Sequence, residues 1–222
     1  MVCSAAPDPV APSDPNVQNQ PVPGRQTAEE RWAIDHLVVV AGPPAVGKSR
    51  LIRRLARDDL LRERLGVPKD APALAARAVP RRRPTAHEAL ILHYDLLRLL
   101  HQAIPAYECD PGLSLLGSAA RITFLTVRTS PDRLRAQLEQ RAAAPDRPPR
   151  RQAFHRTLRA LYEDDGFVRG WYERWLEFVG RYDAVTIRHS FVEVDDGYAL
   201  TPVPHAAVAA AGLSRAAAAR PT

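Results

Sequence analysis

Residues 42–49 read Gly-Pro-Pro-Ala-Val-Gly-Lys-Ser, a full G-x-x-x-x-G-K-S pattern. Glycines at the two ends of such a turn let the backbone curl tightly with no Cβ in the way, so successive N–H groups can close around a phosphate. Lys48 supplies a compact ammonium for β- and γ-phosphates, and the Ser49 hydroxyl is a hard oxygen suited to a Mg²⁺ shell. The expected phosphate-binding set is therefore Gly42, Ala45, Val46, Gly47, Lys48, Ser49 and Arg50, with ATP and Mg²⁺ as its ligands. The chain holds 31 Lys+Arg, yet only Lys48 and Lys69 are lysine. A composition so biased toward arginine has kept lysine where a planar guanidinium does not fit.

A second carboxylate-bearing position follows the same logic. An apolar run over 89–94 ends in Asp95. At that place a carboxylate can join the Mg²⁺ shell or take a proton from an acceptor hydroxyl as general base; its structural alternative is a cap on the segment that follows. Arg98, one turn further on, is a candidate for an anionic or hydroxylated acceptor. By the two-residue period of a strand, His93 shares the face of Asp95 and Tyr94 does not. Tyr107, Glu108 and Asp110 fall between elements, where acceptors often bind. The acidic run 163–166 reads as a helix cap rather than a metal site.

These residues need a scaffold, and the hydrophobic pattern supplies one. Continuous apolar runs at 36–41, 89–95 and 121–127 predict buried strands, with a short one at 74–79 and a last one at 183–187, extended at 191–194. Helices are expected from the phosphate turn to about residue 65, over 96–103, from Pro131 (capped by Ser130) to about 143, and over 152–162 and 166–180. A polar Pro/Arg loop separates them at 145–151. The recurrence of Trp171, Trp175, Phe178 and Val179 at helical spacing marks core. Buried strands alternating with helices give an α/β fold, a three-layer sandwich around a mostly parallel sheet, whose ligands gather at the carboxyl ends of the strands. Gly42, Asp95 and Arg128 all fall at that end. The expected domain spans 31–200, between a Pro-rich leader at 1–30 and an Ala/Pro-rich tail at 201–222.

With the phosphate turn, the strand ending in Asp95 and the stretch 128–141 in view, the sequence resembles the small-molecule and nucleoside-monophosphate kinase branch of the P-loop proteins. The resemblance is specific at 42–49 and architectural elsewhere. It implies that Arg141, at the end of the Pro-initiated helix, meets the nucleotide phosphates, and that Arg147, Arg150 and Arg151 come from a lid at about 144–151. Lys48, Asp95 and Arg141 would then carry catalysis, with Ser49 and Asp95 holding metal. For Arg133, Arg135 and Arg141 the alternative is a solvated helix face. The chain lacks the Asp-Gly-Phe-Pro-type acceptor motif of adenylate kinases and the Gly-Gly pair of shikimate-type kinases, so the acceptor is open. Two further readings share the phosphate turn: a P-loop sulfotransferase, and a nucleotide-binding switch or accessory protein with little catalysis.

Composition narrows the partners. A net charge of +6 favours anions, and arginine spread along the chain suits nucleotides and small phosphorylated molecules. The run at 81–83 has no interleaved aromatics, which argues against nucleic acid. No stretch approaches the 18 apolar residues of a membrane span, and the start lacks the order of a signal peptide. Two cysteines, Cys3 and Cys109, set no disulfide framework, so the expected setting is the cytoplasm.

Overall fold

Six strands form one sheet in the order β2-β3-β1-β4-β5-β6 in a computed structural model of the chain. The structure describes residues 32–81, 86–96, 110–181, 187–195 and 197–203. The leader, most of the 96–103 segment with Arg98, the residues Tyr107, Glu108, Cys3 and Cys109, and nearly all of the tail lie outside the described residues.

The strands are β1 (Ala33–Gly42), β2 (Ala73–Ala75), β3 (Ala86–Asp95), β4 (Ala119–Arg128), β5 (Ile187–Glu193) and β6 (Ala199–Pro202). The helices are α1 (Lys48–Leu55), α2 (Asp59–Arg64), α3 (Pro131–Ala143), α4 (Pro149–Leu161) and α5 (Asp165–Arg181). Five strands run parallel and β6 returns antiparallel to β5. β1 lies at the centre because its run Leu37–Ala41 is fully buried, as a strand covered on both faces requires. Register places Gly42 opposite Asp95, and Ala41 opposite both Tyr94 and Thr126.

Helices cover both faces. On one, Ile52 and Leu55 of α1 share a cavity with Ile91. On the other, Trp175 of α5 stacks on Tyr94, meets Phe124 edge-on, and donates its indole N–H to Thr126 Oγ1 at 2.9 Å. Trp171 and Trp175 are fully buried, each taking on the order of 200 Å² out of water. Phe178 and Val179 are buried beside them, as the helical spacing predicts. Among the described residues no helix is long and apolar enough to cross a membrane.

Several boundaries differ from expectation, each for a local reason. The first helix does not continue to residue 65. It stops at Leu55, because Asp58 takes an extended conformation and accepts the Leu61 N–H at 2.9 Å, starting α2. The short strand ends at Ala75 and passes into a 3₁₀ turn, Ala76–Arg81, that contains Pro80, which has no N–H to give a ladder. The loop after α3 ends at residue 148, since Pro149 occupies the first position of α4 and is pre-set for a helix. The last parallel strand is one element beginning at Ile187, where two short pieces were expected, and 183–186 lie outside the described residues. The cap on α3 is as expected: Ser130 accepts the Arg133 N–H at 3.4 Å, and Asp195 accepts the Ser130 N–H at 2.7 Å.

Candidate functional site

The turn between β1 and α1 is shaped by close packing. A Cβ on Gly42 would lie 2.9 Å from both the Val127 carbonyl oxygen and Val46 Cγ1, so no other residue fits without displacing β4 backbone. Gly47 begins α1 with φ 106°, a left-handed conformation that glycine adopts without penalty. Ala45 sits at φ 68°, a conformation costing a residue with a Cβ about 1 kcal/mol or more. No side chain caps α1; the Arg50 and Leu51 N–H groups donate to the Gly47 carbonyl, so the N–H groups of Lys48 and Ser49 are the ones an anion at this helix start would meet.

Lys48 is only 4% exposed, and its ammonium donates to the carbonyls of Gly42 and Pro43, both at 2.7 Å. Asp95 Oδ2 lies 3.6 Å away, an ion pair set by the opposition of Gly42 and Asp95 across β1 and β3. A cavity of about 310 Å³ opens over this pair. Its walls bring together Ala45, Gly47, Lys48, Ser49 and Arg50 from the turn, His93 and Asp95 from β3, and Arg141 from the last turn of α3. Ser49 and Arg50 are exposed to it. Residues chosen on the first strand, the third and a distant helix therefore meet in one place. Val46 is fully buried beneath the turn and supports its shape from below.

The shifts of the basic groups here all run downward. Burial holds the Lys48 amine below the ordinary lysine range; Asp95 opposes that, and Arg141 reinforces it. Burial, with the Lys48 charge next, pushes His93 down to about 4, so its ring is neutral above that pH. Burial and then Arg147 disfavour the charge of Arg141, again with Asp95 opposing. Burial disfavours the charge of three basic groups around one cavity; Asp95 offsets this in part, and an entering anion would offset it further. Ser49 and Asp95 add a hydroxyl and a carboxylate to the same wall, a hard-oxygen pair of the type Mg²⁺ takes when phosphates and water complete its shell. Among the described residues no group of three or more His, Cys, Asp or Glu could hold a metal unaided.

The remaining expectations divide. Arg147 acts on Arg141 and His155 through its charge, and Arg151 on His155, but neither they nor Arg150 line the cavity; Arg150 and Arg151 are exposed in the first turn of α4. Arg133 pairs with Asp195, and Arg135 with Asp132 and Asp165, so for these two the solvated-face reading holds. Asp110 accepts the Gly112 N–H at 2.7 Å and the Tyr94 hydroxyl at 3.3 Å, which fixes a turn. Asp164 accepts the Gly166 N–H at 2.8 Å at the start of α5, as a cap should.

Sequence reasoning missed Arg53, Gln137, Phe154, His155 and Val194, which complete the cavity wall. Gln137 was within reach, being one turn before Arg141 on the same helix face. Phe154 and His155 were not, because nothing in their own segment says which way α4 turns its side chains. Val194 sits against Gly47, at 3.6 Å from where a Cβ would stand. Tyr162, at the end of α4, donates to the Pro44 carbonyl at 3.5 Å, tying that helix to the turn. No protein-family model matches the chain, and no curated protein matches it significantly.

Proposed function

We propose that this chain is a Mg²⁺- and ATP-dependent phosphotransferase of the P-loop class, acting on a small molecule with a hydroxyl or phosphate acceptor. The observation that carries the reading is the buried Lys48 ammonium, parked on two carbonyls of its own turn and 3.6 Å from Asp95, beneath a cavity also lined by Arg50, Arg53 and Arg141. In this reading the turn 42–49 cradles the nucleotide phosphates through backbone N–H groups, and Lys48 exchanges its carbonyl partners for phosphate oxygens. Ser49 and Asp95 would hold Mg²⁺, which when bound neutralises charge on the phosphate oxygens. As the acceptor oxygen bonds to the γ-phosphorus and the bridge to the β-phosphate breaks, Arg141 stabilises charge on the transferring oxygens. Asp95, where it is not in the metal shell, takes the acceptor proton. The 144–148 connection and the start of α4, with Arg147, Arg150 and Arg151, close over the nucleotide and keep water out.

The test uses the full chain. Mg-ATP binding is measured by calorimetry, and ADP release with and without pooled metabolite fractions, for the parent, Lys48→Ala and Ser49→Ala. The proposal expects binding by the parent, loss with Lys48→Ala, and acceptor-dependent ADP release that Ser49→Ala removes. A parent that binds no ATP, or a Lys48→Ala variant that behaves as the parent, ends it. Sulfate transfer from a nucleotide-linked sulfate, with no ADP released and no need of Mg²⁺ or Ser49, would favour a sulfotransferase, and ATP binding without turnover a switch or accessory role.

A further inference from the structure

The opposite edge of the sheet carries a second cluster of basic groups that the phosphate turn does not use. His36 on β1 is in register with Arg121 on β4, and Thr123, two residues along β4, is in register with Arg188 on β5. By the strand period these four residues share one face. They line, with Gly66, Val67 and Pro68, a cavity of about 370 Å³. His36 Nε2 lies 2.9 Å from Thr123 Oγ1, which fixes the ring against the sheet. His36 stands six residues before Gly42 on the same strand, roughly 20 Å away at the rise of a parallel strand, so one phosphate cannot serve both places.

Two properties define what this cavity would take. First, among the described residues neither Arg121 nor Arg188 has a carboxylate partner, and both guanidiniums border the same cavity. Second, burial and then the charges of Arg121 and Arg188 hold His36 below the ordinary histidine range, so the two guanidiniums act on the same spot with no offsetting charge among the described residues. Planar guanidiniums on adjacent strands can present paired N–H donors to a phosphate group. The volume is that of a small-molecule site, and among the described residues no Phe, Tyr or Trp lines it to stack a base.

We infer that the amino-terminal edge of the sheet, at His36, Arg121, Thr123 and Arg188, is a second anion site that binds a small molecule through its phosphate group. It stands whether or not the phosphate turn proves to bind nucleotide.

The experiment titrates inorganic phosphate and glycerol 3-phosphate into the full chain at low salt, reading heat and the His36 ring resonances. It is repeated in Lys48→Ala, to silence the turn, and in Lys48→Ala combined with Arg121→Gln, Arg188→Gln or both. The expected result is that Lys48→Ala retains a binding event that moves His36, that each arginine change weakens it by about tenfold or more, and that the pair abolishes it. Both arginines are exposed, so the variants should fold; if one does not, the His36 response in Lys48→Ala alone decides. The inference is overturned if phosphate leaves the His36 resonances unmoved, if the arginine variants bind as Lys48→Ala does, or if a short single-stranded RNA binds through the same arginines more tightly than either small phosphate.

Discussion

The same substitution, glycine to alanine, should have opposite effects at two positions. At Gly42 the added Cβ meets Val127 oxygen and Val46 Cγ1, each at 2.9 Å. Val46 can give a little, but the Val127 carbonyl belongs to β4 and already accepts the Tyr172 hydroxyl at 2.9 Å. The turn must therefore move instead, and with it the Gly42 and Pro43 carbonyls that hold Lys48. Overpacking of this type costs about 1–3 kcal/mol, and a contact against backbone belongs near the top of that range. At Gly170, within α5, a Cβ meets nothing within 4 Å, so Gly170→Ala only removes backbone freedom from the unfolded chain. That change should stabilise by about 0.5–1 kcal/mol. Urea denaturation of both variants, followed by tryptophan fluorescence, gives the comparison, with Mg-ATP affinity measured alongside as the readout of the proposed site. Gly42→Ala should lower the midpoint and weaken Mg-ATP binding, and Gly170→Ala should raise the midpoint and leave binding alone. A Gly42→Ala protein as stable as the parent, with Mg-ATP binding unchanged, would refute the packing argument for the turn.

Asp95→Asn removes the main influence that favours the Lys48 charge, so the amine should lose its proton at lower pH than in the parent. If the turn binds Mg-ATP as proposed, the alkaline limit of that binding should move down with it; the Lys48 ¹⁵N or ¹³Cε resonances follow the amine directly, since Lys69 is the only other lysine. His93 titrates near 4 when folded and near 6.5 when unfolded, so between those values the unfolded chain binds more protons and stability rises with pH. In His93→Asn that rise should flatten in a series of melting curves from pH 4 to pH 7. Trp175→Phe loses the indole bond to Thr126 and part of the stacking on Tyr94 and should cost about 2–4 kcal/mol. A midpoint unchanged in urea would remove α5 from the core that supports the sheet's carboxyl edge.

Much of the scaffold was legible because it rests on local patterns. The buried runs of β1, β3 and β4 can only be central strands, and the Gly-bounded turn at 42–49 announces its own neighbours. Register, however, is a tertiary fact: the apolar run says that Asp95 ends a strand, but only pairing with β1 sets it beside Gly42 and under Lys48. The amino-edge cluster was invisible for the same reason, since His36, Arg121 and Arg188 become neighbours only when three strands align. Asp58 and Pro149 were legible in principle. An aspartate at a helix start competes with continuation of the preceding turn, and a proline after a Pro/Arg run is as good a first helical residue as a loop residue.

If the proposed site closes over a nucleotide, the position of Pro149 decides how. A loop of eight residues could fold down by itself, but Arg150 and Arg151 ride on the first turn of α4 and move only with it. That helix is held at its far end by the Tyr162 hydroxyl on the Pro44 carbonyl and at its near end by Gln152, which donates to the carbonyls of Ala144 and Arg147 at 2.9 and 3.1 Å. Closure would then be a small rotation of α4 about Tyr162, carrying Phe154 and His155 across the cavity. Gln152→Ala, which frees the near end without touching any residue of the phosphate turn, should raise the amide exchange rate over 144–151 in the free chain. With Mg-ATP bound, the parent and the variant should differ less, because the nucleotide would supply the contacts that Gln152 no longer makes. Equal exchange of 144–151 in the free parent and variant would mean that the segment is held by something other than these two bonds, and that Gln152 is not the near-end latch.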